Sequence, residues 1–153
     1  MRKKKVIVSA CLLGEMCRYD GTTKGIDAIK AKFGNDVQII PFCPEDPVLG
    51  TPRERISVIF SEDKYRVITD ESGIEITSAI TLQTQNIIKQ HPDVDMVILK
   101  SKSPSCGLGT TPILSKNKKL MRYENGIAAQ YFMDTLTEID IMDEHQFLDE
   151  YEN

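Results

Sequence analysis

Short apolar runs alternate along this chain with longer segments whose apolar residues recur every three or four positions, and that alternation sets the expected architecture. Residues 5–10 form a β-branched run closed by Cys11-Leu12-Leu13-Gly14, the pattern of a buried strand opening into a loop. After Arg18-Tyr19-Asp20-Gly21, residues 22–33 put Ile26, Ala28, Ile29 and Phe33 at helical spacing, with Gly34-Asn35 as the stop. Residues 37–42 read as a second strand, ended by Cys43-Pro44-Glu45 and a loop rich in Pro, Gly and Thr through Pro52. Residues 56–60 and 65–68 can pair as a hairpin around Ser61-Glu62-Asp63-Lys64. Residues 73–91 carry Ile76, Ala79, Ile80, Ile87 and Ile88 in helix-like positions and stop against Pro92, which predicts a long amphipathic helix. A third core strand over 94–100 runs into Ser101-Lys102-Ser103-Pro104-Ser105-Cys106-Gly107. A helix over 126–136, a short strand over 138–141 and an acidic helix over 144–151 complete the pattern.

Strands alternating with helices imply a parallel sheet, because parallel neighbours need crossover connections and these are usually helical. The expected fold class is therefore α/β, a single-domain three-layer sandwich over residues 1–153 with a mostly parallel, Rossmann-like sheet. Such sheets bind ligands beyond the carboxyl ends of their strands. Cys11, Cys43 and Cys106 each follow a different predicted strand, so thiols distant in sequence are expected to meet at one edge.

Composition narrows the partners. With 153 residues, 41% hydrophobic and 27% charged, the chain has globular composition and enough length to bury a core without disulfides. Its net charge of -4 argues against extended nucleic-acid binding through a phosphate-neutralising surface and favours a small uncharged or weakly anionic ligand. No run approaches the roughly 18–20 apolar residues of a membrane span, so no membrane partner is expected. The basic start through Lys5 is followed by only five residues before Cys11, short of the about 7–15 apolar residues of an export signal. The expected location is the cytoplasm, where the four cysteines read as thiols or metal ligands, not disulfides.

Several chemistries remain open for these cysteines. Free cysteines are often small buried hydrophobes, yet core cysteines usually sit inside apolar runs, whereas these stand at loop entrances among Gly, Pro and Ser. Zinc sites and thioredoxin-type dithiols normally show Cys-x-x-Cys pairs, and none occurs here. The two histidines, His91 and His145, fall at predicted helix ends, away from the thiol loops. Their position also weakens a cysteine nucleophile at Cys17 or Cys106, which would need an activating base. Three thiolates with Cys17 as a possible fourth suit an iron–sulfur cluster. If Cys17 ligates, the cluster is saturated and structural or electron-transferring; if not, one iron is open as a Lewis acid.

The strings Val8-Ser9-Ala10-Cys11-Leu12-Leu13-Gly14 with Arg18-Tyr19-Asp20-Gly21, Phe42-Cys43-Pro44-Glu45, and Lys100-Ser101-Lys102-Ser103-Pro104-Ser105-Cys106-Gly107 resemble the thiouracil desulfidase family over nearly the whole chain. The resemblance implies a [4Fe-4S] cluster held by Cys11, Cys43 and Cys106 with one iron open, and non-redox removal of sulfur from thiolated uracil or related thio-pyrimidines. It also implies iron–sulfur assembly machinery as a partner. The chain departs from the family pattern after Glu45, where Asp46-Pro47-Val48-Leu49-Gly50-Thr51 replaces a stretch that commonly contains Gly-Gly-Leu.

Glu45, two residues after a ligand, is the candidate for proton transfer to and from water or the ring nitrogen. Ser101 is the first candidate to hydrogen-bond the ring or a developing oxyanion, with Ser103 as a second substrate contact. Tyr19 is a candidate to stack on a pyrimidine face. The competing reading is a metal-stabilised binding or accessory module for thiolated nucleosides or RNA, without catalysis.

Overall fold

Among the described residues, the apolar runs become strands and the helix-spaced segments become helices in the order the pattern implies. The structure, a computed structural model, describes residues 4–13, 33, 36–50 and 54–151. Among the described residues the chain runs β1 (Lys4–Ser9), a 3-10 turn (Ala10–Leu13), β2 (Val37–Phe42), α1 (Asp46–Leu49), β3 (Ile56–Ser61) and β4 (Lys64–Thr69). It continues through α2 (Thr77–Gln90), β5 (Met96–Leu99), β6 (Thr111–Leu114), β7 (Leu120–Glu124), α3 (Ile127–Thr135), β8 (Asp140–Asp143) and α4 (Glu144–Tyr151). The expected helix over 22–33, apart from Phe33, lies outside the described residues, as do Cys17, Tyr19 and Arg53.

Strands β2, β1, β5 and β8 lie side by side in that order and are all parallel. Because side chains alternate across a strand, each strand feeds two cores. Val6, Val8, Ile98 and Met142 point to one face and pack with Leu12 and with Phe147 of α4. Ile7, Phe42, Val97 and Leu99 point to the other, against Ile80 of α2 and Ala128, Ala129 and Phe132 of α3. There the Phe42 and Phe132 rings meet edge to face, centroids 5.3 Å apart. Burial on both faces explains why β1 and β5 read as continuous apolar runs.

A second sheet, in the order β4-β3-β6-β7, adds to the expected architecture. Its hairpin β3–β4 turns at Glu62 and Asp63, whose φ values of 52° and 61° are the left-handed pair that a two-residue hairpin turn requires. Strand β6 pairs parallel to β3 and antiparallel to β7. Neither β6 nor β7 is legible in the sequence: β6 has four residues and contains Pro112, while β7 is largely exposed and shows no alternation. Val58, Val67 and Ile113 join this sheet to the core that α2 and α3 share with the parallel sheet. No helix among the described residues is long and apolar enough to cross a membrane.

Candidate metal centre and active site

From β1 the chain goes first to β2 on one side, and reaches β5 on the other side only after the hairpin and α2. That reversal makes a topological switch point between β1 and β5, and in open α/β sheets the crevice beyond the strand ends at such a point is where ligands bind. The candidate residues sit at this edge. Cys11 follows β1 on the 3-10 turn, Cys43 is the first residue after β2, and Ser101 and the loop to Cys106 follow β5.

None of Cys11, Cys43 and Cys106 is disulfide-bonded, and Cys106 is buried. Burial pushes the Cys106 thiol well above the ordinary range, the negative charges of Glu45 and Cys43 add to this, and the Ser9 and Ser103 hydroxyls oppose it. Cys43, Glu45, Ser9 and Ser103 are thus gathered around the Cys106 sulfur.

Among the described residues no group of three or more His, Cys, Asp or Glu side chains forms a ready-made metal site. The chemistry of the donors still fits a thiolate-bound cluster. Three cysteines stand on loops at neighbouring strand ends, two of them electrostatically coupled, with serine hydroxyls directed at the sulfur of the third.

The Cys106 loop is built by Ser103. Its Oγ accepts the N–H groups of Ser105 (3.2 Å) and Cys106 (3.0 Å). Its carbonyl accepts from Gly107 N–H (3.1 Å) and the Thr111 hydroxyl (2.7 Å). With both lone pairs of Oγ taken, only the Ser103 proton remains to be offered, and Cys106 Sγ is its neighbour. The loop is then fixed to α3, because the Ser105 carbonyl accepts the Ala128 and Ala129 amides at 2.9 and 3.2 Å. Two close approaches demand glycine. A Cβ on Gly107 would strike Thr110 and Thr111, and one on Gly126 would strike the Ser105 carbonyl.

Glu45 is half-buried, and its Oε2 accepts the Ser105 hydroxyl at 3.1 Å, which ties the β2 loop to the Cys106 loop. Within the segment that departs from the family pattern, Asp46–Leu49 folds as the single turn α1, whose Val48 and Leu49 amides bond to the Glu45 carbonyl.

Ser101 is held by Glu144, the first residue of the acidic helix α4. Its N–H donates to Glu144 Oε1 at 2.7 Å and its hydroxyl to Glu144 Oε2 at 3.1 Å. Lys100 Nζ lies 3.1 Å from the same Oε2 and 2.8 Å from the Ser101 carbonyl oxygen. Burial pushes the Glu144 carboxyl up, but the Ser101 amide and the Lys100 charge outweigh it and hold the group below its ordinary range. Lys100 is half-buried and paired, and its backbone N–H donates to Ser9 Oγ at 2.9 Å. The sequence did hold one pointer to Glu144. Asp143 and Gln146 exchange hydrogen bonds, each 2.9 Å, as a reciprocal capping box that starts α4 at Glu144, directly beyond β8.

Fold and edge together define the class: an α/β protein whose ligand crevice, at the switch point of a parallel sheet, is furnished with cysteines from neighbouring strand ends. Within that class, residues 6–145 match the model of the 2-thiouracil desulfurase family, and the chain belongs to this family. It is 32% identical over 114 residues to the uncharacterized protein YbbK of Bacillus subtilis (strain 168), an alignment covering 68% of this chain and 74% of the relative. It also shares its fold with a solved [4Fe-4S]-dependent thiouracil desulfidase, TudS, at 32% identity and a TM-score of 0.69 over 97% of this chain and 95% of that one.

Proposed function

We propose that this protein removes sulfur from thiolated uracil or a related thio-pyrimidine by non-redox hydrolysis, using a [4Fe-4S] cluster held by Cys11, Cys43 and Cys106. The observation that carries the reading is the convergence of these cysteines with Glu45 and Ser101 on the carboxyl edge of three adjacent parallel strands. Membership of the 2-thiouracil desulfurase family supports it. A cluster bound by three thiolates supplies an iron without a protein ligand, a Lewis acid suited to a soft thiocarbonyl sulfur.

The chain's own residues do the rest. Glu45, anchored by Ser105, takes a proton from the attacking water and delivers it to the departing sulfur as the tetrahedral carbon collapses, and the remaining hydroxyl proton passes to solvent as the carbonyl forms. Ser101 hydrogen-bonds the pyrimidine, Ser103, the candidate second contact, is committed to the Cys106 loop instead, and Tyr19 stacks on the ring face. Water's oxygen replaces sulfur, which departs as hydrosulfide, so no electron acceptor is required. The reaction suits a reducing cytoplasm, with iron–sulfur assembly machinery supplying the cluster.

The test is anaerobic purification or reconstitution, counting of iron and sulfide, a visible absorption spectrum, and an assay with 2-thiouracil and 4-thiouracil without reductant. Four irons per chain with uracil and sulfide as products is the expected result. Zinc in their place sinks the mechanism, and a cluster that binds thiouracil without turnover turns the protein into a binding module.

A further inference from the structure

The serine at the end of β5 carries a hydrogen-bond polarity that the sequence could not reveal. An ionised carboxylate only accepts, so the contact between the Ser101 hydroxyl and Glu144 Oε2 consumes the serine's one proton. Lys100 Nζ, 3.5 Å from Ser101 Oγ, reaches at most one of the two lone pairs. What remains is an acceptor. Glu144 is 1% exposed and Ser101 4%, so little water competes for these bonds and the orientation is held.

We infer that Glu144 is a positioning residue, which fixes Ser101 as a hydrogen-bond acceptor and so selects a substrate with an N–H beside its thiocarbonyl. This rests on the proposed role of Ser101 in thiouracil binding. The chemistry is apt, since 2-thiouracil and 4-thiouracil both carry the N3–H next to the carbon that bears sulfur. It also redirects the expectation of an oxyanion donor: a serine whose proton is on Glu144 has none to give a developing charge.

Glu144→Gln tests the polarity. A glutamine must turn its NH2 toward either the Ser101 amide or the Ser101 hydroxyl. The amide proton is fixed, so the hydroxyl yields and points its proton into the site. The variant is expected to keep native iron content and absorption spectrum, while kcat/KM falls about tenfold or more. Because Glu144 acts through Ser101, the double variant with Ser101→Ala should be no worse than Ser101→Ala alone.

An independent arm leaves Glu144 in place. The native enzyme should discriminate about tenfold or more against 3-methyl-4-thiouracil relative to 1-methyl-4-thiouracil, and Ser101→Ala should lose that discrimination. Native-like Ser101→Ala would remove Ser101 from the site and with it the reading on which this inference rests. Impaired Ser101→Ala beside native-like Glu144→Gln overturns the positioning role alone. Additive losses, or loss of iron from Glu144→Gln, reduce Glu144 to a structural residue. Should Glu144→Gln fail to fold, equal turnover of the two methylated substrates by the native protein overturns the inference.

Discussion

Two carboxylates stand at this edge with different partners, and the partners separate their roles. Glu45 is half-buried and accepts the Ser105 hydroxyl, a neutral partner. Replacing it by Gln keeps the hydrogen bond to Ser105 but removes the titrating group, and should leave the iron content native while lowering turnover by about a hundredfold or more. Full activity in that variant would take Glu45 out of the reaction. Glu144 is committed to Ser101 and Lys100, and its carboxyl is held below the ordinary value. A carboxylate lowered in the folded state contributes stability that is present above its unfolded pKa and lost as pH falls through the folded one. The stability difference between the native protein and Glu144→Gln, measured by urea unfolding, should therefore be constant near neutrality and shrink below about pH 4.5. A difference that does not change with pH would mean that the ion pair contributes nothing.

At the scale of elements, the Cys106 loop is positioned by its docking on α3 more than by the strand before it. The first turn of α3 spends its Ala128 and Ala129 amides on the Ser105 carbonyl, and Gly126 lets the two backbones touch. Gly126→Ala forces the loop away from the helix and is expected to cost about 1–3 kcal/mol in urea unfolding. Since the atoms in the way are backbone atoms leading to Cys106, iron retention should fall with stability. The capping box of α4 does comparable work on the other side of β5, by setting where Glu144 emerges beside Ser101.

For the whole molecule, the cofactor and the fold are coupled. Three adjacent parallel strands end in cysteines that are 32 and 63 positions apart in sequence, and a group bound to all of them would stabilise only the folded chain. Cys11→Ser, Cys43→Ser and Cys106→Ser are each expected to lose iron and to lower the anaerobic melting temperature toward that of the chelated protein. Cys17→Ser should keep both. The opposite ranking would reassign the ligands.

The sequence by itself determined which segments become the buried strands and helices, because burial on two faces or one leaves a pattern of apolar residues that needs no partner to be read. It also set the thiols at strand ends, where the fold class places ligands. Strands β6 and β7 escaped it, since a short strand with a proline and an exposed edge strand carry no such pattern. Only the tertiary structure decided that Glu144, 43 residues from Ser101, accepts the serine's hydroxyl hydrogen bond. Hydrogen-bond polarity depends on which group arrives from a neighbouring strand, and β8 beside β5 is a choice of sheet order, not of local sequence.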